Sequence, residues 1–338
     1  SEPSPVSEPA RGRQCGPAGE SERPAPARGV ATGAAGAAVE TGETDETGRS
    51  TGVALIPIER LDDPRVDDYR DIKDRGLHRR RGLFVVEGRG TLRCLVDHSP
   101  FRPRSVLLGE TARAALADVL ARLSPSVPIY CAPGPVLEAV VGFAIHRGCL
   151  AIVERPPERG LAALLGALPE GDSRIVVTEG LSNHDNVGGV FRNAMAFGAD
   201  AVVLCPRTCD PLYRKAIRTS MGGSLCVPFA RAERWPDDLA ALRARGYAIV
   251  ALDPGAEDVL GRSDVALPRR AALVVGTEGA GLSEAVRRFA DRRVRIGMAP
   301  GVDSLNVATA AAIALHHLHV SASDASASAP SGAGPDSA

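Results

Sequence analysis

Three short stretches hold the side chains that could do chemistry. The last runs from Arg293 to Val320. It reads as a strand over Val294 to Ile296, a Gly/Pro loop over Met298 to Asp303, and a helix over Ser304 to His319. Asp303 or Ser304 is expected to cap that helix, because either side chain can accept from the free amides of the first turn. Ser304 and Asn306 are the polar exceptions in an Ala-rich, aliphatic run, and they stand where loop meets helix. Leu305, Ala308, Ala312 and Leu315 fall at helical spacing and the opposite face is apolar too, so the helix is expected to be buried nearly all round. Free backbone groups beside the positive end of a helix suit a ligand. Taken alone, the fragment reads first as an ordinary strand, turn and capped helix.

The second stretch is Gly276-Thr277-Glu278-Gly279-Ala280-Gly281-Leu282-Ser283, between an apolar strand and a helix. Gly276, Gly279 and Gly281 follow G-x-x-G-x-G, whereas dinucleotide folds use G-x-G-x-x-G. The unit also comes too late in the chain for the rest of such a fold, which disfavours a nucleotide-dependent oxidoreductase. The third stretch is Asn186-Val187-Gly188-Gly189-Val190-Phe191-Arg192-Asn193-Ala194, on a helix expected over Asn186 to Phe197. Arg192 stands a turn and a half beyond Asn186. Such an arginine, alone, is more often a surface salt bridge.

In this order, the three stretches resemble the SpoU/TrmH-type RNA ribose 2′-O-methyltransferases of the SPOUT superfamily. The likeness is strong over Arg174 to Val320 and weaker over Ile56 to Ile152, where Phe84 to Gly88 and His146 to Ala151 carry it. Asn186 to Ala194 matches the family's Asn-x-Gly-x-x-x-Arg-x-Ala. Gly188 and Gly189 leave room for another protein backbone, or that of RNA, to approach. The resemblance implies S-adenosylmethionine as cofactor, held by Gly276, Gly279, Gly281, Ile296, Met298 and Leu305. It implies reacting-centre roles for Asn186, Arg192, Glu278, Ser304 and Asn306. Arg192 cannot act as a base, because guanidinium stays protonated; a clamp on RNA phosphate that favours the developing alkoxide is expected. Ile296-Gly297-Met298 replaces the usual Ile-Pro-Met, which removes a φ constraint without removing a reacting group. The resemblance further implies a C-terminal trefoil knot, a homodimer, and structured RNA, ribosomal or transfer, as partner. A catalytically silent RNA-binding protein of the same fold is the alternative.

The elements needed to position these residues follow from the pattern. Alternating strands and helices over 53–155 indicate a small α/β domain. By resemblance it binds RNA and is similar to a small ribosomal protein. Residues 156–172 read as a linker, and 173–320 repeat β-α units, hence a parallel or mostly parallel sheet with helices on both faces and ligands beyond the strand carboxyl ends. The expected fold is therefore α/β, a knotted SPOUT-type domain behind a smaller RNA-binding one. Within the second unit, Leu212 to Ser220 reads as a helix, Leu225 to Pro228 as a strand and Trp235 to Arg245 as a helix. In the first, Thr111 to Leu123 reads as one helix. Lys73, Arg75, Arg79, Arg80 and Arg81 form a basic cluster suited to phosphate contact, and equally to a solvated charged face.

Composition sets the outer limits. The formal net charge is −1, so any nucleic-acid surface must be local. Seven scattered cysteines argue against a secreted disulfide framework, and Cys205 with Cys209 lacks a second pair, so no zinc is expected. Ser1 to about Gly52, and 321–338, are poor in large apolar residues and are expected to be disordered tails. With no membrane-length apolar run and no secretory layout at the start of the chain, a cytoplasmic location is expected.

Overall fold

The computed structural model describes residues 54–327, apart from Asp71, 73–75, Ala144, 146–147, 263–264 and Ala266. The expected tail over 1–52, residues 328–338, and Lys73 and Arg75 of the basic cluster lie outside the described residues.

The first lobe is built on β1 (Leu55–Pro57), β2 (Leu83–Glu87), β3 (Pro103–Leu108), β4 (Ile129–Cys131) and β5 (Cys149–Glu154), in the order β1-β4-β3-β5-β2. β4 runs parallel to β1 and β3, while β5 runs antiparallel to β2 and β3. Its helices are α1 (Leu77–Arg80), α2 (Arg89–His98), α3 (Glu110–Ala115), α4 (Ala117–Leu120) and α5 (Gly134–Val141). Alternate residues along a strand serve opposite faces. Leu83, Val85, Leu107 and Ile152 meet α5, and Phe84, Val86, Val106 and Leu108 meet α2 and α4. Burial on both faces is why these strands read as unbroken apolar runs. The helix expected over Thr111 to Leu123 breaks at Leu116, whose φ of −122° and ψ of 10° turn its side chain into the core.

The second lobe holds β6 (Ser173–Thr178), β7 (Ala201–Leu204), β8 (Phe229–Arg231), β9 (Ala248–Leu252), β10 (Asp258–Val259), β11 (Arg270–Val275) and β12 (Arg292–Arg295). All neighbours in the order β10-β12-β9-β11-β6-β7-β8 are parallel. Its helices are α6 (Leu161–Gly166), α7 (His184–Ala196), α8 (Arg214–Thr219), α9 (Gly223–Cys226), α10 (Leu239–Ala244), α11 (Glu284–Phe289) and α12 (Val307–Ala327). Val176, Val250, Leu273 and Val275 pack under α7 and α12; Ile175, Val177, Ile249 and Val274 pack under α6, α10 and α11. The strand expected over Leu225 to Pro228 is instead the short helix α9 followed by β8. The left-handed Gly222 (φ +91°) starts that helix, and Gly223 lies where a Cβ would stand 2.7 Å from the Phe191 carbonyl.

α12 begins three residues later than expected and continues to Ala327. It is not buried all round: Val307, Ala311, Ala314, Leu315 and Leu318 face the core, while Thr309, His316 and Ile313, 40% exposed, face outward. An Ala-rich composition hides this, since alanine is at home on either face.

The lobes share one seam. Arg155 grips Asp210 with two hydrogen bonds of 2.7 and 2.9 Å, and Arg214 meets Glu87 at 2.5 Å. Ser99 Oγ donates to the Leu225 carbonyl at 2.9 Å, and the thiols of Cys94 and Cys226 stand 2.8 Å apart. Leu212, Ile217 and Leu225 of the second lobe complete the cluster under Phe84, Val86 and Val106 of the first.

Candidate active site

The site is assembled where α7, α12 and the loop after β11 converge. Asn183 caps α7 by accepting from the Asp185 amide at 2.9 Å. Asp185 in turn takes Lys215 at 2.6 Å and the Thr219 hydroxyl at 3.0 Å, bonds that hold its carboxyl below the usual range. Gly188 and Gly189 serve the protein's own helices. A Cβ on Gly188 would stand 2.7 Å from the Ala216 carbonyl of α8, and one on Gly189 would stand 2.5 Å from Ala308 Cβ of α12. Asn193 adds a 2.7 Å hydrogen bond to the Ala308 carbonyl. The first turn of α12 is thereby fixed against α7.

The residue that caps α12 is Asn306, not Asp303 or Ser304. Its Oδ1 accepts from the amides of Ala308 at 2.9 Å and Thr309 at 3.3 Å. Residues 302–306 form no regular secondary structure and the helix starts only at Val307, which leaves Asp303 and Ser304 exposed and too early to cap. Asn306 Nδ2 donates to Asn186 Oδ1 at 3.0 Å and to Glu278 Oε1 at 2.7 Å. One carboxamide thus joins one residue from each stretch, with all four of its bonding positions used. The pattern fixes its orientation: only oxygen can face two amides, and only nitrogen can face a carboxylate.

The Gly276–Leu282 loop folds back on itself. Thr277 and Gly281 exchange backbone hydrogen bonds of 3.2 and 3.0 Å, and a Cβ on Gly276 would collide with the Gly281 carbonyl. Gly281 (φ +67°) adopts the left-handed backbone that the reversal needs. This loop walls a cleft at the carboxyl ends of β9, β11 and β12. Gly276, Gly279, Gly281, Ile296, Met298 and Leu305 all line it, as do Glu278 and Ser304. Val275, Leu252 and Val307 add apolar lining, and Asp253, Thr277 and Arg295 add polar lining. A cleft with this lining, at the strand ends of an open α/β sheet, suits a small molecule.

The SpoU rRNA Methylase family model matches residues 173–316, the span that builds this cleft. An uncharacterized tRNA/rRNA methyltransferase of Mycobacterium tuberculosis is 41% identical over 261 residues, which are 75% of this chain and 88% of the relative. The chain belongs to the SpoU methyltransferase family. Among solved structures, an RNA 2′-O ribose methyltransferase aligns with a TM-score of 0.66 at 26% identity, covering 78% of this chain and 98% of that one. An AdoMet-bound rRNA methyltransferase from Sinorhizobium meliloti aligns with a TM-score of 0.66 at 23% identity, covering 79% and 98%.

Not every residue selected from sequence gathers at the SpoU cleft. Arg192 is exposed on α7, and its side chain forms no hydrogen bond or ion pair among the described residues. The basic cluster stands apart on the first lobe, where Arg79 pairs with Glu158 at 3.5 Å, Arg81 with Asp68 at 3.3 Å, and Arg80 is exposed. Two buried carboxylates were missed. Asp253, 4% exposed, ends β9 inside the cleft, pairs with Arg293 at 2.8 Å and Arg287 at 3.2 Å, and accepts from the Gly255 amide. Glu179, 3% exposed, ends β6. The available signal was the same in both: an acidic residue directly after an apolar strand and before a turn glycine or proline. The described cysteines are free thiols, and no described cluster of His, Cys, Asp or Glu could hold a metal ion. No described helix is long and apolar enough to cross a membrane.

Proposed function

We propose that this SpoU-family methyltransferase moves a methyl group from S-adenosylmethionine to a ribose 2′-hydroxyl of structured RNA, ribosomal or transfer. The observation that carries this reading is the Asn306 carboxamide, which ties Asn186 and Glu278 together at the mouth of the cleft. The cleft suits the cofactor. Ile296, Met298 and Leu305 offer apolar contact to a purine, and Gly276, Gly279 and Gly281 offer backbone, with open space beside Gly279. When bound, S-adenosylmethionine supplies an electrophilic methyl on a sulfonium, so neither metal nor covalent enzyme intermediate is needed.

The chain's own residues supply alignment and charge. Arg192, whose side chain is unengaged among the described residues and permanently cationic, would clamp an RNA phosphate and favour the alkoxide that develops on the ribose oxygen. Phosphate or water takes the proton. Asn186, Glu278 and Asn306 form a rigid polar corner and Ser304 adds a hydroxyl on the cleft wall, so that the nucleophile is oriented at little entropic cost. Residues 53–155 would hold RNA and 173–320 catalyse, with 156–172 joining them and its helix α6 packed into the second lobe's core through Leu164 and Leu165; Lys73, Arg75, Arg79, Arg80 and Arg81 would add phosphate contact. The passage of the chain through β12, between β10 and β9, and on into α12 suits the trefoil knot that the family likeness implies. The outward face of α12, with Ile313 and Val320 exposed, suits a second copy of the chain in a cytoplasmic homodimer.

The test is incubation of the protein with S-adenosylmethionine and total RNA, followed by nucleoside mass spectrometry. A 2′-O-methylnucleoside that appears with wild type and drops 10²- to 10³-fold in single-turnover rate with Arg192→Ala supports the reading; those factors are about 3 to 4 kcal/mol, the scale of a lost oxyanion donor. A base-methylated product would overturn the ribose assignment. RNA binding without any product would make the chain a silent binder.

A further inference from the structure

Glu179 is a buried carboxylate to which the cleft chemistry above gives no role. Its oxygens diverge. Oε1 accepts from the Trp235 indole N–H at 2.8 Å, and Oε2 accepts from the Ser283 amide at 2.8 Å. It forms no ion pair among the described residues, so two neutral N–H groups are its compensation for lost water. Both donors matter by position. Ser283 caps α11 and ends the glycine loop that walls the cleft. The start of the loop is tied to the same point: the Glu179 amide donates to the Val275 carbonyl at 2.8 Å, and the Thr277 methyl stands 3.0 Å from where Gly180 would carry a Cβ. Residues 179–180 therefore hold both ends of the loop.

We infer that Glu179 is the positioning residue for the Gly276–Leu282 loop, and that Trp235, bound to the same carboxylate, reports the state of that loop. The inference rests on the reading that this loop holds S-adenosylmethionine. Only a carboxylate can serve both donors. A glutamine has one accepting oxygen and a donating NH2, so it must set an N–H against either Trp235 or Ser283. If the shape of the side chain were all that mattered, Glu179→Gln would be nearly silent.

Trp235 is the single tryptophan of the chain, so its emission can be read without interference. The experiment titrates S-adenosylmethionine into wild type, Glu179→Gln and Trp235→Phe, with calorimetry and, where tryptophan is present, fluorescence; urea midpoints monitor folding. Wild-type emission is expected to change saturably with the calorimetric Kd. Glu179→Gln is expected to weaken binding about tenfold, the scale of one charge-assisted hydrogen bond, and to damp the emission change. Trp235→Phe, which leaves the Ser283 bond in place, is expected to weaken binding less than threefold. Wild-type Kd in a folded Glu179→Gln, with only the urea midpoint lowered, would make Glu179 a structural residue and overturn the inference. An emission that ignores the cofactor in wild type would overturn it even if Glu179→Gln failed to fold. Absence of any cofactor binding by wild type would remove the cofactor reading, and this inference with it.

Discussion

Asn306 combines two tasks that substitution can separate. Asn306→Ala removes the cap of α12, a loss of about 1 kcal/mol. It also strips the Asn186 oxygen, in a residue 7% exposed, of its donor, which costs about 1 kcal/mol at the low end for a buried polar group. Glu278 is exposed and recovers water, so it adds little. The expected loss is about 2 kcal/mol. Asn306→Asp keeps the cap, because aspartate accepts from the same amides equally well. It loses both donated bonds, however, and sets a second carboxylate at the 2.7 Å contact with Glu278. That pair raises the folded-state pKa of one member above its unfolded value near 4. The sign follows: the deficit of Asn306→Asp is full above the raised pKa and shrinks as pH falls through it, because the folded state then binds the extra proton. The deficit of Asn306→Ala carries no such dependence. Urea unfolding of the three proteins between pH 4.5 and 8, with single-turnover methyl transfer at pH 7.5, decides the matter. Wild-type stability in both variants, or equal pH profiles for both, would show that Asn306 is not the junction described.

Gly189→Ala sets a methyl against Ala308 and is expected to cost about 1 to 3 kcal/mol by overpacking; the double variant with Ala308→Gly should recover most of it in urea unfolding. Burial alone would push the Asp210 carboxyl up, but the Arg155 guanidinium outweighs it and holds the carboxyl below the usual range. The stability this gives is present above the unfolded value of about 4 and lost as pH falls through the folded value, so wild type and Asp210→Asn should converge in stability as the solution is acidified. Gly279→Val is expected to weaken S-adenosylmethionine binding in calorimetry, since the position (φ +85°) is strained for any side chain and lines the cleft. Reversing Arg79, Arg80 and Arg81 to glutamate should lower the salt slope of RNA affinity by about 0.7 to 0.9 per lost phosphate contact. The exposed pairs with Glu158 and Asp68 are too weak to prevent such contacts. An unchanged slope would make the cluster a bystander.

The strands were legible in the sequence because most are buried on both faces, and a run such as Leu83 to Val86 has no other reading. The three chemical stretches were legible because their polar residues interrupt apolar elements at strand ends. What could not be read was decided by contacts distant in sequence. Asp303 and Ser304 look as good as caps as Asn306 does, but the helix starts only at Val307. Leu225 to Pro228 fits a strand until Gly223 must meet Phe191 at close range. The glycines of α7 signalled close approach correctly, yet the partners are α8 and α12. Glu179 and Asp253 gave only a weak local signal, an acid after a strand, and their importance lies in donors about 40 to 100 residues away.

The seam also bears on how the molecule comes apart. Leu212, Ile217 and Leu225, each at most 4% exposed, belong by chain to the second lobe and by packing to the first. Burying three such side chains contributes about 5 to 9 kcal/mol. That is comparable with the whole net stability of an ordinary domain. Part of that burial is against α7 of their own lobe, and neither lobe alone can keep the part made across the seam, so the lobes are not interchangeable modules. Heat should take them down in a single cooperative transition, and a chain cut between 155 and 172 would yield halves that each expose a sticky apolar patch.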